Sequence, residues 1–177
     1  MAKSLEKNTK PKSGWKQDPE RVKRDIIEAA MAEFAQNGLS GAKIDDISAR
    51  TSTSKRMIYY YFEDKETLYM RALEAAYSKV RQGEEKLDLD VLPPVEALER
   101  LVSFTFDHHR KNTDFIRMVM IENVHHADYL NASTVIRGLN KKAIARLETL
   151  IARGEASGDF REGLDATELH WQISALS

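Results

Sequence analysis

The stretch TSTSKRMIYYYFEDKETLY, residues 51–69, carries the strongest structural signal in this chain. With Ser54 as an N-cap and about 100° of turn per residue, residues 55–62 form a short helix with two faces. The polar face carries two cations and two phenols: Lys55, Arg56, Tyr59 and Tyr60. The opposite face carries Met57, Ile58, Tyr61 and Phe62. The pattern predicts a helix that packs on a core and presents its polar face to a polyanion; the alternative is an ordinary amphipathic surface helix.

The residues before this helix predict two further helices. The segment RVKRDIIEAAMAEFAQNG places Ile26, Ala30 and Phe34 at helical spacing and ends in Asn-Gly, which is typical of a helix stop, so a first helix is expected over residues 19–37. Ile44 and Ile47 predict a short second helix, and the small polar residues 51–54 suit a tight turn. Two short helices joined by such a turn form a helix-turn-helix, whose second helix lies in the major groove of DNA.

A longer fourth helix is predicted directly after the polar-faced one. Asp64 is expected to cap it, and it should run from Lys65 to about Gln82, just before Gly83. Because the first turn of a helix has free N–H groups, Lys65 at this position suits a phosphate oxygen.

These residues together resemble the DNA-binding domain of the TetR family of one-component regulators. The resemblance covers about 60 residues, from Glu20 to Val80. Its most specific element is the string SK-x-x-IY-x-YF-x-x-KE-x-L, which begins at Ser54 and ends at Leu68. The resemblance implies a sequence-specific transcriptional regulator, in most cases a repressor.

The resemblance also implies which residues contact DNA. The family commonly has a phosphate-binding Thr where this chain has Ala42, so Lys43 is expected to take over that contact, and Arg56 replaces a frequent Gly, which would alter the bases that are read. The predicted DNA-binding residues are Lys43, Ser54, Lys55, Arg56, Tyr59, Tyr60 and Lys65.

Composition narrows the class of protein further. The 177 residues contain no cysteine, which rules out a disulfide scaffold and a thiolate metal site. No apolar run approaches the length of a membrane span, and the N-terminus lacks the apolar region of a secretory signal. We therefore expect a cytoplasmic protein with no membrane partner.

The charges are distributed unevenly along the chain. Residues 1–17 contain five Lys and one Glu, whereas residues 82–177 contain eleven basic and sixteen acidic residues. A flexible basic arm over residues 1–19 could lie along the DNA backbone, or it could be only a solubilising tail. The DNA-binding domain is expected over residues 20–80, including the linking fourth helix.

A second helical domain is expected over residues 81–177, for effector binding and dimerisation. We predict helices at about 94–111, 114–127, 133–157 and 166–177, with Asp114, Ser133 and Asp165 as caps. No alternating apolar pattern predicts a strand, so the fold class is all-α.

Aromatic residues, a methionine and several polar residues in this domain predict a pocket for a small organic effector. Ordinary core packing is the alternative for each residue. The candidates are Tyr69, Tyr77, Phe104, His108, Phe115, Met118, Glu122 and His125. The family resemblance places such a cavity among the helices after the third, and RMVMIENVHHADYL is faintly similar to regulators of pyrimidine utilisation.

Other functional classes explain the sequence less well. Glu122 and His125 have the Glu-x-x-His spacing of di-iron helical bundles, but such a site needs a second copy, which is absent from the sequence. A helical adaptor would not explain why two cations and two phenols share a helical face. We therefore expect neither an enzyme nor a cofactor or metal.

Geometry predicts how the regulator would act. Two recognition helices must meet successive major grooves about 34 Å apart, which implies a homodimer on a near-palindromic DNA operator. The chain ends inside the apolar-rich run ELHWQISALS, as if cut short, so Trp171, Ile173 and Leu176 are expected to be exposed unless a dimer partner covers them.

Overall fold

The computed structural model describes residues 18–177, and within that range the regular structure is helical. The predicted basic arm over residues 1–19 lies largely outside the described residues. In chain order the helices are α1 (Pro19–Gly41), α2 (Ile44–Ala49), α3 (Lys55–Phe62), α4 (Lys65–Glu85), α5 (Pro94–Lys111), α6 (Thr113–Val124), α7 (Asp128–Ala132), α8 (Thr134–Ser157) and α9 (Ala166–Leu176). A single 3₁₀ turn, Leu89–Val91, lies between α4 and α5. The all-α fold class is confirmed.

Helices α1 to α3 form the predicted helix-turn-helix around a shared apolar core. Ile26 and Phe34 of α1, Ile47 of α2 and Ile58 of α3 are almost completely buried and belong to one cluster. The Ser54 hydroxyl accepts a hydrogen bond from the Met57 N–H and caps α3, as predicted. The local pattern was sufficient here because capping and helical period are short-range properties.

The predicted stop of the first helix is confirmed as a kink. Gly38 has φ 63° and ψ 178°, a conformation outside the helical region that glycine adopts without a side-chain clash. The chain resumes helical hydrogen bonding for one more turn, and the Ala42 N–H donates to the Gly38 carbonyl. This bend directs the chain into α2.

Helix α4 begins as predicted but ends later. Asp64 caps it by accepting a hydrogen bond from the Thr67 N–H at 2.7 Å. The expected end before Gly83 was wrong, because the helix continues to Glu85. Gly83 is required there for close packing: a Cβ at this position would lie 2.4 Å from the ring carbon Cζ of Phe104 on α5.

The later helices lie close to the predicted ones, with three local corrections. The expected end of the sixth helix at residue 127 was wrong, because α6 ends at Val124 and the backbone of Ala127 is left-handed. Ser133 and Asp165 cap α8 and α9, as expected. The predicted cap Asp114 was wrong, because α6 starts at Thr113 and Asp114 lies in its first turn. The short helix α7 was not predicted, since five residues provide too little periodicity to detect.

The DNA-binding helices and the later helices share one core. Helix α6 packs along α1, and Met118 of α6 and Ile136 of α8 are buried in the same cluster as Phe34 of α1. Helix α4 contacts both groups of helices: it packs on α3 as well as on α5, α6 and α8, and Arg81 near its end donates to Asn140 of α8. Within residues 18–177, no helix combines the length and apolar character needed to cross a membrane.

Candidate DNA-contacting surface and effector cavity

Helix α3 presents its polar face outward. Arg56 is exposed, Tyr60 is 74% exposed and Tyr59 is 41% exposed. On the opposite face Ile58 and Phe62 are buried against α1 and α2. The structure therefore separates the two faces of α3 as the periodicity predicts, and it brings two phenols and a guanidinium to one surface.

The lysines around this surface differ in their surroundings. The Lys55 ammonium group forms a 2.9 Å ion pair with the Asp45 carboxylate of α2, and this hydrogen bond raises the pKa of Lys55. The Lys65 ammonium group donates to the Ala42 carbonyl oxygen at 3.2 Å, so it lies beside the start of α2. Lys43 is exposed at the N-cap position of α2, where the helix has free N–H groups.

A buried glutamate links α1 to the turn that follows α2. Glu33 of α1 is 1% exposed, and its two carboxylate oxygens accept hydrogen bonds from Asn37 at 2.8 Å and from Arg50 at 3.0 Å. Arg50 follows α2, so this ion pair holds the turn against α1. The burial of Glu33 could not be predicted from the sequence, because an acidic residue in an amphipathic helix is usually solvated.

A large cavity lies among α4, α5, α6, α8 and α9. Its volume is about 1140 Å³, and apolar side chains from all five helices dominate its lining. The apolar lining residues include Tyr77, Val80, Leu101, Phe115, Ile116, Leu147 and Trp171. A mostly apolar cavity with a few polar groups is typical of a site for a small organic molecule.

Only some of the predicted pocket residues line this cavity. Tyr77 and Phe115 do, and their rings pack edge-to-face at 5.4 Å. The structure places the other candidates elsewhere. Tyr69 of α4 and both Met118 and Glu122 of α6 are buried in the core. Phe104 and His108 pack against each other on α5. His125 is exposed.

Polar groups outside the predicted set also line the cavity. The Arg81 guanidinium of α4 forms a 2.5 Å ion pair with Glu84 and donates to the Asn140 side-chain oxygen of α8 at 3.0 Å. His109 and His170 face the same cavity, and burial lowers the pKa of each imidazole. These residues come from helices distant in sequence, so no local motif could have grouped them.

The half-buried His108 has no hydrogen-bond partner for its imidazole among the described residues. Both ring nitrogens are buried and unpaired, and the ring packs against Phe104 and Phe115. Burial lowers the pKa of His108 to about 4, with the neighbouring His109 adding to the effect. The imidazole is therefore neutral near pH 7.

Glu122 belongs to a buried hydrogen-bond network. It is 3% exposed and accepts from the Tyr69 hydroxyl and from the N–H groups of Tyr129 and Leu130. Within residues 18–177, no cluster of three or more His, Cys, Asp or Glu residues has the geometry for a metal ion. The carboxylate of the Glu-x-x-His pair thus joins helices together.

The predicted dimer residues on α9 lie in two different environments. Trp171 is 65% exposed and Leu176 is 86% exposed, as expected for an uncovered apolar face. Ile173 differs from the expectation, because it is buried within the chain itself. Its position on α9 points toward α5 and the cavity, where it lines the wall.

Comparison with known proteins supports both parts of the architecture. Residues 26–72 match the family model described as bacterial regulatory proteins, tetR family. Residues 94–177 match the model of a tetracyclin repressor-like C-terminal domain. The two matches together span the helix-turn-helix and helices α5 to α9.

Two curated proteins are similar along most of the chain. The HTH-type transcriptional repressor NicS of Pseudomonas putida is 34% identical over 160 residues, which cover 90% of this chain and 76% of NicS. The HTH-type transcriptional repressor SCO4008 of Streptomyces coelicolor is 28% identical over 162 residues, which cover 90% of this chain and 78% of that protein.

Solved structures share the fold. The fatty acid degradation regulator FadR from Bacillus halodurans superposes with a TM-score of 0.70 at 20% identity, covering 87% of this chain and 78% of FadR. The regulator PfmR from Thermus thermophilus superposes with a TM-score of 0.66 at 24% identity, covering 84% of each chain. At these identities the likeness concerns the fold alone.

Proposed function

This chain belongs to the TetR family and is a DNA-binding transcriptional regulator, not an enzyme; from this premise we propose that it is a repressor released from its operator by an effector. The operator would be a near-palindromic double-stranded DNA site bound by a homodimer. The effector would be a small organic molecule held in the cavity among α4 to α9. The place of action would be the cytoplasm, where the DNA lies.

The exposed face of α3 is the observation that carries this proposal. Arg56 lies in the first turn of the recognition helix, where a guanidinium can donate to both O6 and N7 of a guanine. Tyr59 and Tyr60 present phenol groups on the same exposed surface and can donate to phosphate oxygens. The buried opposite face holds this surface in a fixed orientation.

The residues around α3 would bind the phosphate backbone. Lys43 at the start of α2 combines a charge with free backbone N–H groups, and Lys65 lies within reach of the same helix start. Ser54 caps α3 through its oxygen and keeps its hydroxyl hydrogen available for a phosphate. Lys55 would exchange its Asp45 partner for a phosphate oxygen.

The dimer would place two α3 helices in successive major grooves. Trp171 and Leu176 of α9 are exposed apolar side chains, and we propose that a second copy of this chain covers them. Because Ile173 is buried, we propose that the contact involves only the outward side of α9. A closed two-fold dimer matches the two-fold symmetry of a palindromic operator.

Helix α4 would transmit the effector signal. Its first residue, Lys65, lies beside α2, whereas Tyr77, Val80 and Arg81 near its other end line the cavity. A ligand that prefers a different position of the distal end of α4 shifts the spacing of the two recognition helices. Operator affinity would then fall by a shift of population between two conformations.

Selection from random-sequence DNA tests the proposal. The protein is incubated with a random duplex pool at fixed near-physiological salt, and bound molecules are enriched over several rounds and sequenced. We expect one inverted repeat to be enriched. The variant R56Q should lose discrimination at the bases that Arg56 reads, by about 1–3 kcal/mol, whereas R137Q on the distant α8 should select the same repeat.

Two results would count against the proposal. If the protein forms a stable dimer and still enriches no sequence, it does not read an operator. If R56Q and R137Q select the same repeat with the same affinity, the exposed face of α3 does not carry the recognition.

A further inference from the structure

The charged residues that line the effector cavity are mostly cationic. They comprise four arginines and one glutamate: Arg81, Arg110, Arg117, Arg146 and Glu84. The surrounding sequence has the opposite balance, since residues 82–177 contain eleven basic and sixteen acidic residues. The cavity therefore concentrates positive charge inside an acidic part of the chain.

Two of these arginines already have carboxylate partners. Arg81 is bound to Glu84 at 2.5 Å and also donates to Asn140, so its charge is compensated locally. Arg110 forms a 3.3 Å ion pair with Asp107 on its own helix, α5. The Arg81 charge is thus compensated, whereas Arg110 shares the single Asp107 carboxylate with Lys111, which lies closer to it at 2.9 Å.

The other two arginines have no such partner. Arg117 on α6 and Arg146 on α8 form no hydrogen bond or ion pair with any residue in the 18–177 range that the structure describes. Arg117 is exposed, Arg146 is half-buried, and both belong to the lining of the cavity. Both guanidinium groups are therefore unpaired at the cavity wall, where they can attract an anion that enters the cavity.

The uncharged polar groups of the cavity do not alter the excess of positive charge in its lining. Burial lowers the pKa of His109 and His170, so both rings are neutral near pH 7 and each offers one donor and one acceptor. Glu84, the single lining carboxylate, is occupied by Arg81. A cationic ligand would find no free carboxylate side chain in the lining.

We infer that the effector is an organic acid with an apolar body, whose carboxylate is bound by Arg117 and Arg146. The planar guanidinium fork matches the geometry of a carboxylate, and the apolar walls accept the rest of the molecule. This inference rests on the proposed function, because it names the chemical class of the effector for the same cavity.

Matched small molecules test the inference by calorimetric titration of the full chain. The probes are benzoate, naphthalene-2-carboxylate and decanoate, each compared with its neutral amide and its corresponding amine. We expect at least one carboxylate to bind about tenfold or more tightly than its amide, and the amines to bind most weakly. The comparison within wild-type protein does not depend on any variant folding correctly.

Variants then test which arginines bind the carboxylate. R117Q and R146Q should each reduce the preference for carboxylate over amide, and together they should abolish it. R137Q is the matched control, because Arg137 is an exposed arginine on the same helix as Arg146 but lies outside the cavity lining. It should leave the preference unchanged.

Three outcomes overturn the inference: no carboxylate binds, the amides or amines bind as tightly, or the preference survives in the double variant. Selection of an operator from random DNA is measured separately on the same preparation. An operator without carboxylate binding refutes the effector class alone. The absence of any operator, from a stable dimer, refutes the proposed function instead.

Discussion

The Tyr69 hydroxyl of α4 donates a 2.8 Å hydrogen bond to the Glu122 carboxylate of α6 in a buried site. The second carboxylate oxygen of Glu122 accepts from the Tyr129 and Leu130 N–H groups at the start of α7. The ring of Tyr69 also packs edge-to-face on Phe34 of α1 at 4.9 Å. One tyrosine thus joins the helix-turn-helix to a helix that lines the effector cavity.

Replacing Tyr69 by Phe should destabilise the chain by about 1–3 kcal/mol, because it removes a hydrogen bond to a buried carboxylate and leaves that oxygen unpaired. Urea denaturation measures the loss. The matched control is Y129F: the Tyr129 ring packs on Tyr69 at 5.1 Å, but its hydroxyl has no hydrogen bond within the described residues. Equal effects of the two substitutions would show that the Glu122 bond contributes little.

Removing the acidic partner of Lys55 should strengthen DNA binding. In the free protein the Asp45 carboxylate holds the Lys55 ammonium group at 2.9 Å, so this contact competes with phosphate. We expect D45N to bind operator DNA about two- to fivefold more tightly at low salt. D46N removes a neighbouring exposed acid of the same helix and controls for general charge. The difference between the two variants, followed by fluorescence anisotropy, isolates the ion pair.

Loss of a phosphate contact should appear in the salt dependence. K65Q removes a charge beside the start of α2, where the ammonium group now donates to the Ala42 carbonyl. The slope of the logarithm of affinity against the logarithm of salt concentration should fall by about 1. K141Q, at an exposed position on α8, should leave the slope unchanged. An unaltered slope in K65Q would mean that Lys65 is a structural residue only.

Stability should fall as the pH decreases from 7 to 5, and His108 should account for part of the fall. Its folded pKa is near 4, below the value near 6.5 of an unfolded histidine, so between these values the unfolded state binds more protons. That difference favours unfolding at lower pH. H108L should reduce the loss, whereas H125L, at an exposed site, should not. Thermal unfolding at pH 7 and pH 5 measures both, and parallel curves for H108L and wild type would contradict the assignment.

Adding one methyl group should have opposite effects at two helical glycines. G83A places a Cβ 2.4 Å from the Phe104 ring and should cost about 1–3 kcal/mol through overpacking. G138A is the control, since its Cβ meets nothing within 4 Å and should stabilise α8 by about 0.5–1 kcal/mol. Chemical denaturation of both variants gives the sign directly. If G83A were as stable as G138A, the Phe104 ring would have moved aside.

Local chemistry was enough to predict the helix-turn-helix. The caps at Ser54, Asp64 and Asp165 involve residues three positions apart, and the two faces of α3 follow from helical period alone. Such signals need no knowledge of the rest of the chain. The family resemblance added the role of the polar face, because its motif occupies the same short segment.

The cavity lining could not be predicted in the same way. Residues such as Arg81, Asn140, Arg146 and His170 come together because α4, α8 and α9 pack on one another, and no spacing in the sequence records those contacts. Of the eight candidate pocket residues, only Tyr77 and Phe115 line the cavity. Residue type alone does not distinguish an aromatic side chain packed in the core from one that lines a cavity.

Short-range interactions could therefore be predicted from the sequence, whereas long-range contacts were decided by the tertiary structure. Composition, caps and periodicity established an all-α chain with a recognition helix, because these depend on neighbours within about one or two helical turns. Long-range packing set the continuation of α4 through Gly83, the burial of Ile173 and the use of Glu122 as a joint between three helices. Each depends on which side chain from a distant helix fills the adjacent space, and that is a property of the assembled fold.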